Sequence, residues 1–221
     1  LDDSHITSNQ YYLENTNILV TEVNGEHSGF RVIDFAPRFV QYDRYYKPLM
    51  LIRIVEPLYG NPAVRVNCNP KANYGKDDFK KNRGSNHIHF QHAEEHMRLT
   101  TNIPISHFFD QEESNIILSE KKYMILSYGN SFEAPLIQTA EEFLIKTKIY
   151  WRRWTKKANI PNFYQDHIIR SALVLKLHQY EDTGAIIASS TTSLPESPGS
   201  GRNWDYRYCW VRDSYYVLTA L

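Results

Sequence analysis

GRNWDYRYCWVRDSYYVLTAL, from Gly201 to Leu221, sets six aromatic rings in 21 residues around one Arg212–Asp213 pair. In its first half Trp204, Tyr206, Tyr208 and Trp210 alternate with Asp205, Arg207 and Cys209. An extended backbone would turn all four rings to one face. From Arg212 the pattern becomes helical, with Val211, Tyr215 and Leu218 at i, i+4 and i+7. Asp213 then sits where a carboxylate accepts backbone N–H groups as a helix N-cap. A pyranose offers apolar C–H faces and a rim of vicinal hydroxyls. Rings suit the faces, and a guanidinium with a carboxylate suits the hydroxyls in bidentate fashion. The same inventory also describes an aromatic core strand with a salt-bridged cap, and the residues alone leave both readings open.

Ahead of this stretch, AIIASSTTSLPESPGSG (Ala185–Gly201) reads as a loop, its prolines, glycines and serines breaking regular structure. Two helices are expected before it. TAEEFLIKTKIYWRRWTKKA (Thr139–Ala158) begins with a capping box of Thr139 and Glu142, and Phe143, Thr147, Tyr150 and Trp154 recur at helical spacing. The second runs from about Phe163 to Gln179, with Ile169, Leu173 and Leu177 on one stripe.

The first 135 residues read as β. NILVTEV (Asn17–Val23) and FRVIDFAP (Phe30–Pro37) flank a turn-rich loop opening on Asn24–Gly25, a hairpin signal. Phe30 and Val32 face one way, and Arg31, Ile33 and Phe35 the other. LMLIRIVEP (Leu49–Pro57) and AVRVNCNP (Ala63–Pro70) are expected to pair across LYGNP. In the latter, Val64, Val66 and Cys68 alternate with Arg65, Asn67 and Asn69. Weaker strands are expected at His87–Phe90, Met97–Thr101, Asn115–Leu118 and Tyr123–Tyr128. Short strands without intervening helices indicate a β-sandwich.

Composition narrows the function classes. Lys+Arg and Asp+Glu both number 25 among 221 residues, so no basic surface invites nucleic acid or an anionic membrane. No run is long and apolar enough to span a bilayer, and no signal peptide is visible. Sixteen tyrosines are compatible with carbohydrate contact, but equally with sandwich cores and interfaces. The two cysteines form no disulfide framework, and a cytoplasmic protein is expected. His87 and His89 would share a strand face, but nothing fixes a third metal ligand, and a solvated strand edge explains them. Asp205 and Asp213 are the nearest approach to a catalytic carboxylate pair, yet each has an Arg close by, which depresses a carboxylate pKa and spoils it as an acid. No cofactor or metal is expected.

GRNWDYRYCWVRDS closely resembles the first-loop signature of glycoside hydrolase family 15, which includes glucoamylases, glucodextranases and some bacterial trehalases. IIRSALVLKLHQYEDTGAIIASSTTSLPE (Ile168–Glu196) resembles the segment before it, the first barrel helix and its loop. QYYLENTNILVTEV, GFRVIDFAPRF and LIRIVEPLYG are similar to the N-terminal β-domain of the bacterial and archaeal branch. The resemblance implies a supersandwich-like β-domain over 1–135, a helical linker over 136–162, and the start of an (α/α)6 catalytic barrel over 163–221. It implies inverting hydrolysis of α-glucosidic bonds at non-reducing ends, with an α-glucoside or oligosaccharide as substrate. Carried over residue by residue, Tyr206, Trp210, Arg212 and Asp213 line the terminal-glucose subsite. The family's general acid and base are glutamates of later barrel loops. Glu181 and Glu196 do not match them, so no catalytic residue is assigned, and the remainder of the barrel is the implied partner. SPGSG also departs from the family, where fewer serines and more glycines are usual. Glucoamylase-type cleavage is the first expectation and trehalose cleavage the second. A stand-alone β-sandwich binding module, for sugar or protein, is the non-catalytic alternative.

Overall fold

The computed structural model describes residues 6–109, 115–129 and 133–221. Fourteen strands and three α-helices follow in order: β1 (Thr7–Tyr12), β2 (Leu19–Asn24), β3 (Gly29–Phe35), β4 (Phe39–Gln41), β5 (Arg44–Tyr46), β6 (Met50–Tyr59), β7 (Ala63–Val64), β8 (Lys71–Ala72), β9 (Asp77–Asp78), β10 (Lys80–Arg83), β11 (His87–His92), β12 (Glu95–Thr101), β13 (Ile116–Ile117), β14 (Lys122–Tyr128), α1 (Leu136–Lys157), α2 (Gln165–Leu177) and α3 (Val211–Ala220). The chain divides into two compact units: residues up to Tyr150 without Asn15–Asn17, and Trp151–Leu221 together with Asn15–Asn17.

The first unit is built on one eight-stranded antiparallel sheet in the order β1-β2-β3-β6-β14-β12-β11-β10, with three two-stranded sheets beside it. Alternation along the strands separates two cores. Val20, Ile33, Phe35, Ile52, Ile54, Tyr123 and Ile125 meet Ala140 and Phe143 of α1 on one side. Val55, Met124, Leu99, Ile88 and Phe90 meet Phe79, Ile105, Phe108, Ile116 and Leu118 on the other, with Phe30, Val32, Val64, Val66 and Cys68 packed against them. A fully buried Ile or Phe of this kind contributes about 1.5–3 kcal/mol. The parity read from FRVIDFAP and AVRVNC therefore holds.

One pairing differs from expectation. β6 does not pair with β7; it lies between β3 and β14, in register Ile33↔Ile54 and Ile125↔Ile52. β7 pairs instead with β13, Val64 opposite Ile116. A long apolar strand finds more buried area in the sheet centre than beside a two-residue partner. The turn between them closes on Gly60, whose φ of +62° suits glycine.

Polar side chains continue the α1 side of the sheet outward. Arg31 joins Glu22 at 2.8 Å and Glu56 at 3.1 Å, and Lys121 joins Glu56 at 3.3 Å and Glu141 of α1 at 3.0 Å. The Tyr123 hydroxyl donates to Glu141 at 2.7 Å, and burial with that bond lifts the phenol far above its ordinary pKa. Burial alone would raise Glu141. The Tyr123 hydroxyl and the Lys121 ammonium outweigh it and hold the carboxyl below its usual range.

α1 begins at Leu136, so Thr139 is interior rather than a cap. Its N–H donates to the Pro135 carbonyl, its side chain is buried, and Glu142 pairs with Lys146 at 2.6 Å. Burial of the first turn overrides the local capping option.

In the second unit, α2 buries Ala172, Leu173 and Lys176, while Leu177 is exposed. The inward stripe thus runs through Lys176 rather than Leu177, because that lysine has a buried partner. The turn Asn15–Asn17 completes this unit. Thr16 is fully buried, its carbonyl accepts from Arg170 at 2.9 Å, Asn17 donates to the Leu173 carbonyl at 3.1 Å, and Thr155 donates to the Asn15 carbonyl at 3.5 Å. Among the described residues no helix is long and apolar enough to cross a membrane.

Candidate functional site

The aromatic stretch is not a continuous strand. It runs back along the preceding loop through backbone bonds: Ser193 N–H to the Trp204 carbonyl at 2.7 Å, Ser189 to Tyr206 at 2.8 Å and Ala188 to Tyr208 at 3.2 Å. Ser193 Oγ also accepts from the Trp204 N–H at 2.7 Å and contacts Asn203 Oδ1 at 3.0 Å. A turn then follows at Asp205–Arg207. The Asp205 carboxylate accepts from the Arg207 N–H and Nε, both at 3.0 Å, and from Arg207 Nη2 at 2.8 Å. These bonds hold the Asp205 carboxyl below the usual carboxylate range and commit it as an acceptor to Arg207.

That turn changes which rings meet. The Trp210 indole N–H donates to the Asp205 carbonyl at 3.0 Å and folds the indole back. Trp204 then stands edge-on to Trp210 at 6.4 Å between centroids, and Tyr206 meets Trp210 at 5.8 Å. Three of the four rings form one cluster, and Tyr208 stands 68% exposed. The expectation of four rings on one extended face is corrected accordingly: the Arg207–Asp205 clasp stabilises a turn where alternation predicts a strand.

Trp210 is the N-cap residue of α3, and its side chain makes no cap bond. Asp213 lies inside the first turn instead of capping it. It is half-buried and pairs with Arg212 at 3.3 Å. A carboxylate there is favoured by the helix dipole. Tyr206, Trp210, Arg212 and Asp213 thus gather around the start of α3. Neither Trp210 nor Asp213 is sealed in an interior, and no residue of α3 is buried.

Ser214, next to Asp213, donates to the Ile186 carbonyl at 3.2 Å and lies 3.3 Å from Cys209 Sγ. Behind Ile186 stands an ion pair that sequence reasoning missed. Lys176 and Glu181 meet at 2.9 Å with side chains only 10% and 6% exposed. Its signal was present in the sequence: a lysine on the apolar stripe of α2, with a glutamate just past the helix end.

Elsewhere, His87 and His89 stack edge-on at 4.7 Å, and Arg98 contacts His87 Nδ1 at 3.2 Å. Burial, then Arg98 and His89, push the His87 imidazole below its ordinary pKa. Among the described residues no three His, Cys, Asp or Glu side chains gather in a metal-holding group. Cys68 and Cys209 are both free thiols.

The family model for glycosyl hydrolases family 15 matches residues 162–221, the segment that contains this site. A trehalase of Thermoplasma volcanium is 32% identical over 227 aligned residues, covering 100% of this chain and 36% of that protein. A trehalase of Thermoplasma acidophilum is 33% identical, covering 99% of this chain and 38% of its own length. A trehalase of Mycobacterium tuberculosis is 38% identical over 128 residues, or 57% of this chain and 19% of that protein. The chain therefore spans little more than a third of the length of the Thermoplasma relatives it matches. No solved structure matches it. Its C-terminal segment, residues 162–221, thus fits glycosyl hydrolase family 15, and nearly its whole length aligns with the Thermoplasma trehalases.

Proposed function

We propose that this chain supplies one wall of the glucose subsite of an inverting α-glucosidase, and that the whole protein hydrolyses α,α-trehalose. The observation that carries the reading is the joining of the Trp204–Tyr206–Trp210 ring cluster to the Arg212–Asp213 pair at the head of α3. Trp210 and Tyr206 pack on the apolar face of the terminal glucose, the Asp213 carboxylate accepts from two ring hydroxyls, and Arg212, paired with Asp213 at 3.3 Å, donates to a third. The order 136–162 linker, then 163–221 as the opening of an (α/α)6 barrel, is part of the same proposal.

Inversion needs one carboxyl to protonate the leaving oxygen and another, about 6.5–9.5 Å away, to activate a water on the opposite face of the sugar. Asp205 is occupied by Arg207 and Asp213 by hydroxyl binding, so both proton-transfer roles fall to glutamates of later barrel loops. Of the two substrate classes left open by the motif, trehalose is favoured by the relatives, each of which carries the name trehalase.

The test is glucose release by the whole protein from α,α-trehalose and from maltotriose, with the first-formed anomer followed by polarimetry. Release from trehalose as β-glucose plus α-glucose supports the reading. Release from maltotriose alone moves the assignment to the glucoamylase type, and release from neither overturns it. Asp213→Asn should lower kcat/KM on the preferred substrate about 100-fold, as loss of a charged bidentate contact does.

A further inference from the structure

α3 presents an orientation problem. No residue of α3 is fully buried, Asp213, Ser214 and Val217 forming a half-buried face, and its first turn carries Arg212 and Asp213. Among the described residues, one side-chain hydrogen bond ties α3 to any segment ahead of Cys209: Ser214 Oγ to the Ile186 carbonyl at 3.2 Å. The acceptor is unusually well fixed. Ile186 is 2% exposed and bridges to Gln179 across a short hairpin. That hairpin is closed by Tyr180 N–H to Ala185 at 2.8 Å, Gly184 N–H to Tyr180 at 2.8 Å and Ile187 N–H to His178 at 3.0 Å. Its root is the buried Lys176–Glu181 pair at 2.9 Å, with Lys176 also bonded to Gln179 Oε1. A buried pair with satisfied neighbours is a directional, stiff contact, because any displacement leaves charge unpaired in low dielectric.

We propose that Ser214 is a positioning residue for sugar binding: its hydroxyl, fixed on the Ile186 carbonyl of the Lys176–Glu181 hairpin, holds Asp213 where the substrate hydroxyls meet it. This rests on the glucose-subsite reading above. Ser214 itself touches no sugar. It acts one residue away, by setting the rotation of the helix turn that bears the carboxylate. The contact is present before and during chemistry alike, so its loss weakens ground-state and transition-state binding together.

The experiment uses the whole enzyme with Ser214→Thr, Ser214→Val and Asp213→Asn. Thr and Val have the same shape and differ in the hydroxyl, so a packing role moves both alike. The Val variant should raise KM for trehalose and the inhibition constant of D-glucose together by about 5- to 10-fold, with kcat within about twofold, as loss of one hydrogen bond in a binding geometry does. The Thr variant should stay within about twofold of the parent in both. Equal behaviour of Thr and Val, or a Val variant whose Tm falls while glucose affinity is unchanged, overturns the proposal. Asp213→Asn separates the two levels. If it loses glucose affinity while Ser214→Val does not, the positioning role alone fails. If it keeps glucose affinity, the subsite reading fails with it.

Discussion

The Lys176–Glu181 pair makes a sharp stability prediction. Glu181→Leu removes the carboxylate and leaves an ammonium whose side chain is 10% exposed. Breaking a buried pair from one side costs about 3–5 kcal/mol. Lys176 keeps its bond to Gln179 Oε1, which places the cost near the lower end, about 3 kcal/mol. Replacing both partners, as Lys176→Met with Glu181→Leu, removes the stranded charge and should return stability to within about 1 kcal/mol of the parent. The assay is built into the chain. All four tryptophans, Trp151, Trp154, Trp204 and Trp210, belong to the second unit, so their fluorescence in a urea titration reads that unit and not the sheet. With a slope of about 1–1.5 kcal/mol per molar urea, the single variant should lower the midpoint by about 2–3 M, and the double variant by less than about 1 M. A single-variant shift below about 0.5 M would refute the reasoning, as would a double variant no better than the single one.

Two further outcomes follow from the sheet unit. Glu141 is held below its ordinary value of 4.5, so its contribution is complete above that pH and is lost as pH falls through the depressed value; Glu141→Gln should flatten the acid limb of a stability–pH curve read by circular dichroism at a β-sheet wavelength and leave the neutral-to-alkaline limb in place. Gly60→Ala places a Cβ 2.3 Å from the His27 carbonyl oxygen at a φ of +62°, and should cost more than about 1 kcal/mol in thermal unfolding, whereas an unchanged Tm would show that this turn relaxes freely.

Much of the sheet was legible because a period of two depends only on which face a residue takes. Phe30 and Val32 against Ile33 and Phe35 is such a reading, and both faces proved apolar. Neighbour choice was not legible in the same way. The turn between β6 and β7 resembles a hairpin, but a turn fixes chain direction and not pairing, and β6 gains more by lying between β3 and β14. Thr139 shows a strong local signal overruled by burial. In the candidate site, residue types and their order around the start of α3 were legible. The geometry was not, because the Arg207–Asp205 clasp forms only when the backbone bends, and alternation carries no record of that bend. Ser214 went unread for a related reason: it looks like ordinary helix surface until the Ile186 carbonyl is brought to it from 28 positions away.

The Asn15–Asn17 turn bears on how the polypeptide acquires its shape during synthesis. The Thr16 carbonyl and Arg170 are 154 positions apart in the chain. At a ribosome making about 5–20 residues per second, the turn is made about 8–30 seconds before its guanidinium donor exists. The helical unit accordingly has no self-sufficient version before Arg170 is made: its plug precedes its socket by 154 positions. A nick after Tyr150 would likewise not yield two finished halves, since the C-terminal piece would lack a tripeptide that only the N-terminal piece carries.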